Sequence, residues 1–277
     1  MTVSGSATGR TAGSGRRAHQ SDWMDTAARA GLVAYAVVYL MIGWLAVELA
    51  LGDRQGTPSS SGAMRALAKQ PFGDILIWVV SLGMFLLVLW KALDACFGHR
   101  EERDGGKRLR KRLASAAKAV VYAVIGFSGL KVAMGSGSSG KGQETWTAKL
   151  MNVTGGQFLV GLIGLAIIAY GAFQVYKAWT EDFADKLDAE GRSGSTGTAY
   201  IAFGKAGFTA RGIAFVIVGG LFGYAAVTHD ASKSGGLDQA LREVLDQPLG
   251  QVVLCVLGVG LACYGLFTLA RARHLSK

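Results

Sequence analysis

The chain has 277 residues, 51% of them hydrophobic and 17% charged, with a mean hydropathy of +0.32. That combination excludes an ordinary water-soluble domain and points to a lipid bilayer as the solvent. Forty glycines beside three prolines exclude collagen, a proline-rich linker and a coiled coil, and three cysteines exclude a disulfide framework.

In chain order, residues 1–27 open with a Gly, Ser, Thr and Arg-rich stretch that predicts a disordered cytoplasmic tail. Six weakly charged stretches follow, at residues 31–51, 75–93, 114–134, 158–176, 212–228 and 252–270. Each approaches the roughly 20 residues that a helix needs to cross about 30 Å of hydrocarbon. The runs are apolar on all sides instead of alternating, which argues against a barrel. The first run has 21 residues, longer than the roughly 7–15 of a signal-peptide core, so it reads as a retained helix.

The net charge of +10 raises nucleic acid as a partner, and the positions of the charges decide against it. Of the 29 Lys and Arg residues, 21 fall on the side that holds both termini and the loops after the second and fourth spans. The positive-inside rule makes that side, with both termini, the cytoplasmic face of a multi-pass membrane protein. The densest run, Lys107, Arg108, Arg110, Lys111 and Arg112, has no aromatic side chain interleaved to stack on bases. It predicts a basic cytoplasmic loop, residues 96–111, that faces anionic lipid.

The spans repeat. Tyr39-Leu40-Met41-Ile42-Gly43 recurs as Tyr122-Ala123-Val124-Ile125-Gly126 and as Phe215-Val216-Ile217-Val218-Gly219, at offsets of 83 and 93 residues. Arg29-Ala30-Gly31 matches Lys205-Ala206-Gly207, whereas the middle copy keeps only the basic residue, Arg112. After each odd-numbered span come a polar linker and a short segment ending in a helix breaker, at residues 62–73, 146–156 and 237–250. In the last, Leu237, Ala240, Leu241, Val244 and Leu245 make one apolar face of a short helix. The expected fold is all-α: six transmembrane helices in three tandem parallel hairpins around a pseudo-threefold axis, with short amphipathic helices on the outer side. Its units are repeat 1 at 28–95, repeat 2 at 112–180, a cytoplasmic linker at 181–202 and repeat 3 at 203–277. Gly219 and Gly223, four residues apart, suit close helix contact.

These elements, Arg-Ala-Gly, Tyr-x-x-x-Gly and Gln70-Pro71-Phe72-Gly73 (Gln247-Pro248-Leu249-Gly250 in the third copy), resemble a bacterial, mainly actinobacterial, family of membrane proteins grouped as domain of unknown function 1206. The resemblance covers roughly residues 28–271 and implies a fold of three two-helix repeats and a membrane location, but no activity. The second copy has Thr154-Gly155-Gly156 where Gln-Pro-Phe-Gly would stand.

Repeat alignment also selects candidate site residues. Glu48, Lys131 and Tyr224 each lie five residues after a motif glycine. A carboxylate, an ammonium and a phenol at one depth near the outer face predict a polar, ligand-binding cluster around the axis. At the inner end the equivalent positions hold Tyr35, Lys118 and Arg211, read as interfacial anchors, and the six tryptophans read as aromatic belts. No catalytic set, cofactor or metal site is expected, since no hydrolase, metalloprotease or nucleotide-binding motif occurs and the four histidines lie in the tail or loops. The expected function is a non-enzymatic module that binds or passes a small solute or ion. The alternative is a structural or assembly subunit whose outer helices meet a protein partner.

Overall fold

A computed structural model of the protein describes residues 11–53, 56–97, 105–135, 142–153, 155–184 and 193–274. Within them the chain forms α1 (Thr11–Ala50), α2 (Ser60–Ala68), α3 (Gly73–Phe97), α4 (Gly105–Ala133), α5 (Gly142–Met151), α6 (Gly156–Trp179), α7 (Gly194–Thr228), α8 (Leu237–Leu245) and α9 (Gly250–Arg273). No strand occurs among the described residues. The six long helices, α1, α3, α4, α6, α7 and α9, are apolar enough to cross a membrane. In hydrocarbon a helix satisfies its own backbone polar groups, and that requirement makes these segments helical. The short helices α2, α5 and α8 join the long ones at one end of the bundle, here the cap end. The opposite end, where α1 starts and α9 finishes, is the tail end.

Three sequence expectations shift. Residues 11–27, read as disordered, are the start of α1, and the basic run from Lys107 to Arg112 lies on the first turns of α4 instead of in a loop. The 181–202 linker turns helical at Gly194. No proline interrupts residues 1–57 or 72–247, so each spanning helix extends outward into polar sequence at the gain of one backbone hydrogen bond per residue. The remainder of those segments, residues 1–10, 98–104 and 185–192, lies outside the described residues, as does Thr154.

The breaker motif has a local cause. Phe72 and Leu249 both adopt φ +62, and Gly155 of the divergent second copy adopts φ +78 at the same position. In each repeat the following glycine donates its N–H 2.8 Å back to the residue three earlier: Gly73 to Gln70, Gly156 to Val153, Gly250 to Gln247. A Cβ on Gly73, Gly156 or Gly250 would strike a backbone carbonyl of the preceding short helix, at Ala68, Leu150 or Val244. The second repeat thus makes the same turn with a different sequence, using the residue that tolerates left-handed backbone most easily.

Packing runs α4–α3–α1–α9–α7–α6, each helix antiparallel to the next. The motif glycines set the seams between repeats. A Cβ on Gly43 would lie 2.7 Å from the Gly258 carbonyl and the Ala262 nitrogen on α9, and one on Gly219 would lie 2.7 Å from the Gly164 carbonyl on α6. The equivalent Gly126 meets α3 more loosely, 3.4 Å from Met84. A second glycine pair closes two of the three hairpins internally: Gly31 and Gly83 bring α1 onto α3, and Gly207 and Gly260 bring α7 onto α9. In repeat 2 these two positions are Ala114 and Ala166, both exposed, and α4 makes no comparable contact with α6. The ring of helices therefore stays open between α4 and α6.

Candidate functional site

Along the axis, the Tyr-x-x-x-Gly positions and their neighbours bring aromatic rings together. Tyr35 packs against Tyr39 and Tyr122 with ring centroids 4.8 and 5.1 Å apart, and Tyr39 packs against Tyr264 at 4.7 Å. All four tyrosines are buried, and the Tyr35 hydroxyl donates to the Tyr39 hydroxyl at 3.3 Å. Toward the tail end, Phe183 is fully buried between Phe208 and Phe267. The axis is packed with aromatic side chains.

Into this packing α7 inserts Arg211, with 8% of its surface exposed. Its Nη1 donates to the Tyr264 hydroxyl at 2.5 Å, and its guanidinium carbon lies 4.7 Å from the Tyr264 ring centre, 5.3 Å from Tyr39 and 5.4 Å from Phe215. Its buried Nε has no partner, and no carboxylate pairs with it among the described residues. Desolvating a guanidinium costs several kcal/mol. One charge-assisted hydrogen bond, at about 1.5–3 kcal/mol, and ring contacts of about 0.5–2 kcal/mol each offset part of that cost. They leave the positive charge in place with donors to spare.

The inner-end triad therefore needs correction: Tyr35 and Arg211 are buried core residues and not interfacial anchors, while the equivalent Lys118 is exposed. Hydropathy places Arg211 at the edge of an apolar run, but the rotation of α7 decides whether it points inward, and that rotation follows from glycine seams on two neighbours.

Glu48, Lys131 and Tyr224 lie on α1, α4 and α7, and no hydrogen bond or ion pair joins them among the described residues. Lys131 and Tyr224 are exposed, whereas Glu48 is half-buried and accepts the Trp44 Nε1–H at 2.7 Å. Glu48 also lines a cavity of about 700 Å³ at the cap end, between α1 and α2, where Asp53, Thr57, Arg65 and Lys69 stand among apolar neighbours such as Met41, Trp44 and Leu45. There Arg65 donates to the Thr57 hydroxyl at 3.0 Å, and Arg242 of α8 reaches the Gly56 carbonyl at 3.2 Å while pairing with Asp238 at 3.1 Å. Two acids face two bases in this cavity, so it carries no net charge preference. Trp44, Trp78 and Trp179 are exposed on the bundle surface, as residues of an interfacial belt are.

Six spanning helices, glycine-tight seams and a thrice-repeated turn define a multi-pass membrane protein made of three tandem two-helix repeats. Three consecutive segments, residues 30–98, 113–181 and 206–274, match the family described as Domain of Unknown Function (DUF1206), and the chain belongs to that family. It is also 30% identical over 252 residues, 90% of each chain, to "Uncharacterized protein YxxB" of Bacillus subtilis (strain 168). No solved structure matches the chain.

Proposed function

We propose that the protein is a non-enzymatic module of the bacterial cytoplasmic membrane that binds a small anion at its axis, with both termini and the basic tail end in the cytoplasm. The observation that carries this reading is Arg211: a buried guanidinium without a carboxylate, with an unused Nε, among phenol groups that can donate to an anion. The packed tyrosines favour a binding site over an open pore. The excess of Lys and Arg on the tail-end side supports the orientation.

The test is thermal unfolding of the full chain in nanodiscs, titrated with inorganic phosphate or acetate. A ligand at a hundred times its Kd stabilises the folded state by about 2.7 kcal/mol. Wild type is expected to show saturable stabilisation, Arg211→Lys a weakened one and Arg211→Gln none. A response unchanged in Arg211→Gln would refute the site, and Tyr264→Phe serves as the second probe if that variant fails to fold. A structural role is the second reading. It is favoured by the aromatic filling of the axis and by Arg242 bridging the caps of repeats 1 and 3, and an Arg211→Gln protein that folds normally while wild type ignores every anion would establish it as the better account.

A further inference from the structure

The opening between α4 and α6 has polar and apolar parts in a definite order. Repeat alignment from Gly73, Gly156 and Gly250 places Asp94, Lys177 and Arg271 at one level near the tail end. Lys118 of α4 lies within electrostatic range of Lys177 on α6, Arg271 on α9 and Lys91 on α3, with Asp94 as the one carboxylate among them. Asp94 is taken by Lys91 at 2.6 Å. No carboxylate pairs with Lys118, Lys177 or Arg271 among the described residues, and the buried Nε of Arg271 has no partner. Cations from all three repeats thus converge where one hairpin fails to close.

Repeat alignment places Val121 on α4 with Val38 of α1, and Ile163 and Ala166 on α6 with Val80 and Gly83 of α3, the faces that meet in the closed first hairpin, and here all three side chains are apolar and exposed. Lys118 is 15 residues from the end of α4 at Ala133, about 22 Å at 1.5 Å per residue. That is shorter than the roughly 30 Å hydrocarbon thickness, so the ammonium must rise along its stem toward the tail-end headgroups. The opening is written into the sequence, because the glycines that close repeats 1 and 3 are Ala114 and Ala166 here.

We infer that an anionic phospholipid occupies the opening between α4 and α6, its phosphate held by Lys118, Lys177 and Arg271 and its acyl chains lying between the apolar walls. The lipid takes the place of the helix contact that the other two hairpins make. This site is separate from Arg211 and does not depend on the axial anion. Free phosphate shares the headgroup chemistry but has nothing to place between Val121 and Ala166.

The full chain, reconstituted in phosphatidylcholine nanodiscs with graded phosphatidylglycerol, is released into mild detergent and its retained lipids are counted by native mass spectrometry. Wild type is expected to keep one phosphatidylglycerol with roughly tenfold or greater preference over phosphatidylcholine, and Lys118→Gln with Lys177→Gln to fall to near parity. Inorganic phosphate at millimolar concentration is expected not to displace the lipid. Ala117→Leu with Ala166→Leu fills the opening and is expected to abolish retention with all charges kept, which covers the case where the lysine variant misfolds. In repeats 1 and 3 the equivalent pairs, Ala34 with Gly83 and Ala210 with Gly260, touch. Ala117→Cys with Ala166→Cys, in a background lacking Cys96, Cys255 and Cys263, is therefore expected to cross-link slowly in phosphatidylglycerol. Rapid cross-linking there, retention unchanged in the lysine variant, or displacement by phosphate would each overturn the inference.

Discussion

Two neighbouring glycines on α7 face opposite surroundings, and exchanging each for alanine gives a sharp test of the seam. A Cβ on Gly219 would lie 2.7 Å from the Gly164 carbonyl and from Ile168 Cγ1, and 2.8 Å from the Ile168 nitrogen, whereas one on Gly220 meets nothing within 4 Å. Ordinary contact begins at 3.4 Å, so Gly219→Ala forces α6 and α7 apart by about 0.7 Å, an overpacking that costs about 1–3 kcal/mol. Both variants gain the same helix propensity, about 1 kcal/mol at most, which cancels between them. Gly219→Ala is therefore expected to be less stable than Gly220→Ala by about 1–3 kcal/mol. Reversible unfolding in mixed detergent and SDS micelles, followed by far-ultraviolet circular dichroism, reads the difference directly. Equal stabilities for the two variants would show that the seam is not set by backbone contact at the motif glycine.

Three further outcomes are expected. Tyr264→Phe removes the acceptor for Arg211 and should cost about 1.5–3 kcal/mol in the same unfolding assay, with Tyr122→Phe, which lacks that bond, as the comparison. Leu249→Gly relieves left-handed backbone at φ +62 and should stabilise the chain by about 1 kcal/mol, as the native Gly155 does in repeat 2; a loss of stability would mean that the leucine side chain outweighs the backbone term. Burial holds the Asp238 carboxyl above its usual range despite the Arg242 ion pair. A folded pKa above the unfolded one means that ionisation opposes folding, so this group's penalty is present at neutral pH and fades as pH falls through the carboxylate range. Asp238→Asn should remove that pH dependence, seen as a flatter profile of melting temperature against pH between about 3 and 6.

The six spans and three repeats are legible in the sequence because hydrocarbon imposes one requirement, a self-satisfied helix of sufficient length, on every segment alike. The seams are partly legible. Gly219 is a contact residue as its spacing implies, but a Cβ on Gly223 would meet open space, and Gly223 takes part through its backbone nitrogen, 2.9 Å from where a Gly164 Cβ would lie. Repeat alignment puts Glu48, Lys131 and Tyr224 at corresponding positions along their helices, but it does not fix the direction of their side chains, because each helix is rotated by whichever neighbours its glycines touch. Arg211 escapes a sequence reading for the same reason, since the residues that surround it come from α1, α7 and α9. The departure of the second copy from the repeat, visible as Ala114 in place of Gly31 and Gly207, is the sequence trace of the open hairpin.

The helix order carries a consequence for biogenesis. Of the six spanning helices described, α1 is made earliest yet has the latest of them, α9, as a partner through Gly43 and Gly258, and Arg211 on α7 waits for the Tyr264 hydroxyl on that same helix. Until α9 enters the membrane, a nascent chain lacks the hydrogen-bond acceptor of Arg211 and the helix that packs on Gly43. Contacts so distant in sequence form slowly and leave incomplete chains vulnerable. A protein truncated before Gly250 should thus lack the contacts that α9 makes with α1 and α7, and insertion of α9 becomes the step that completes the packing of these six helices.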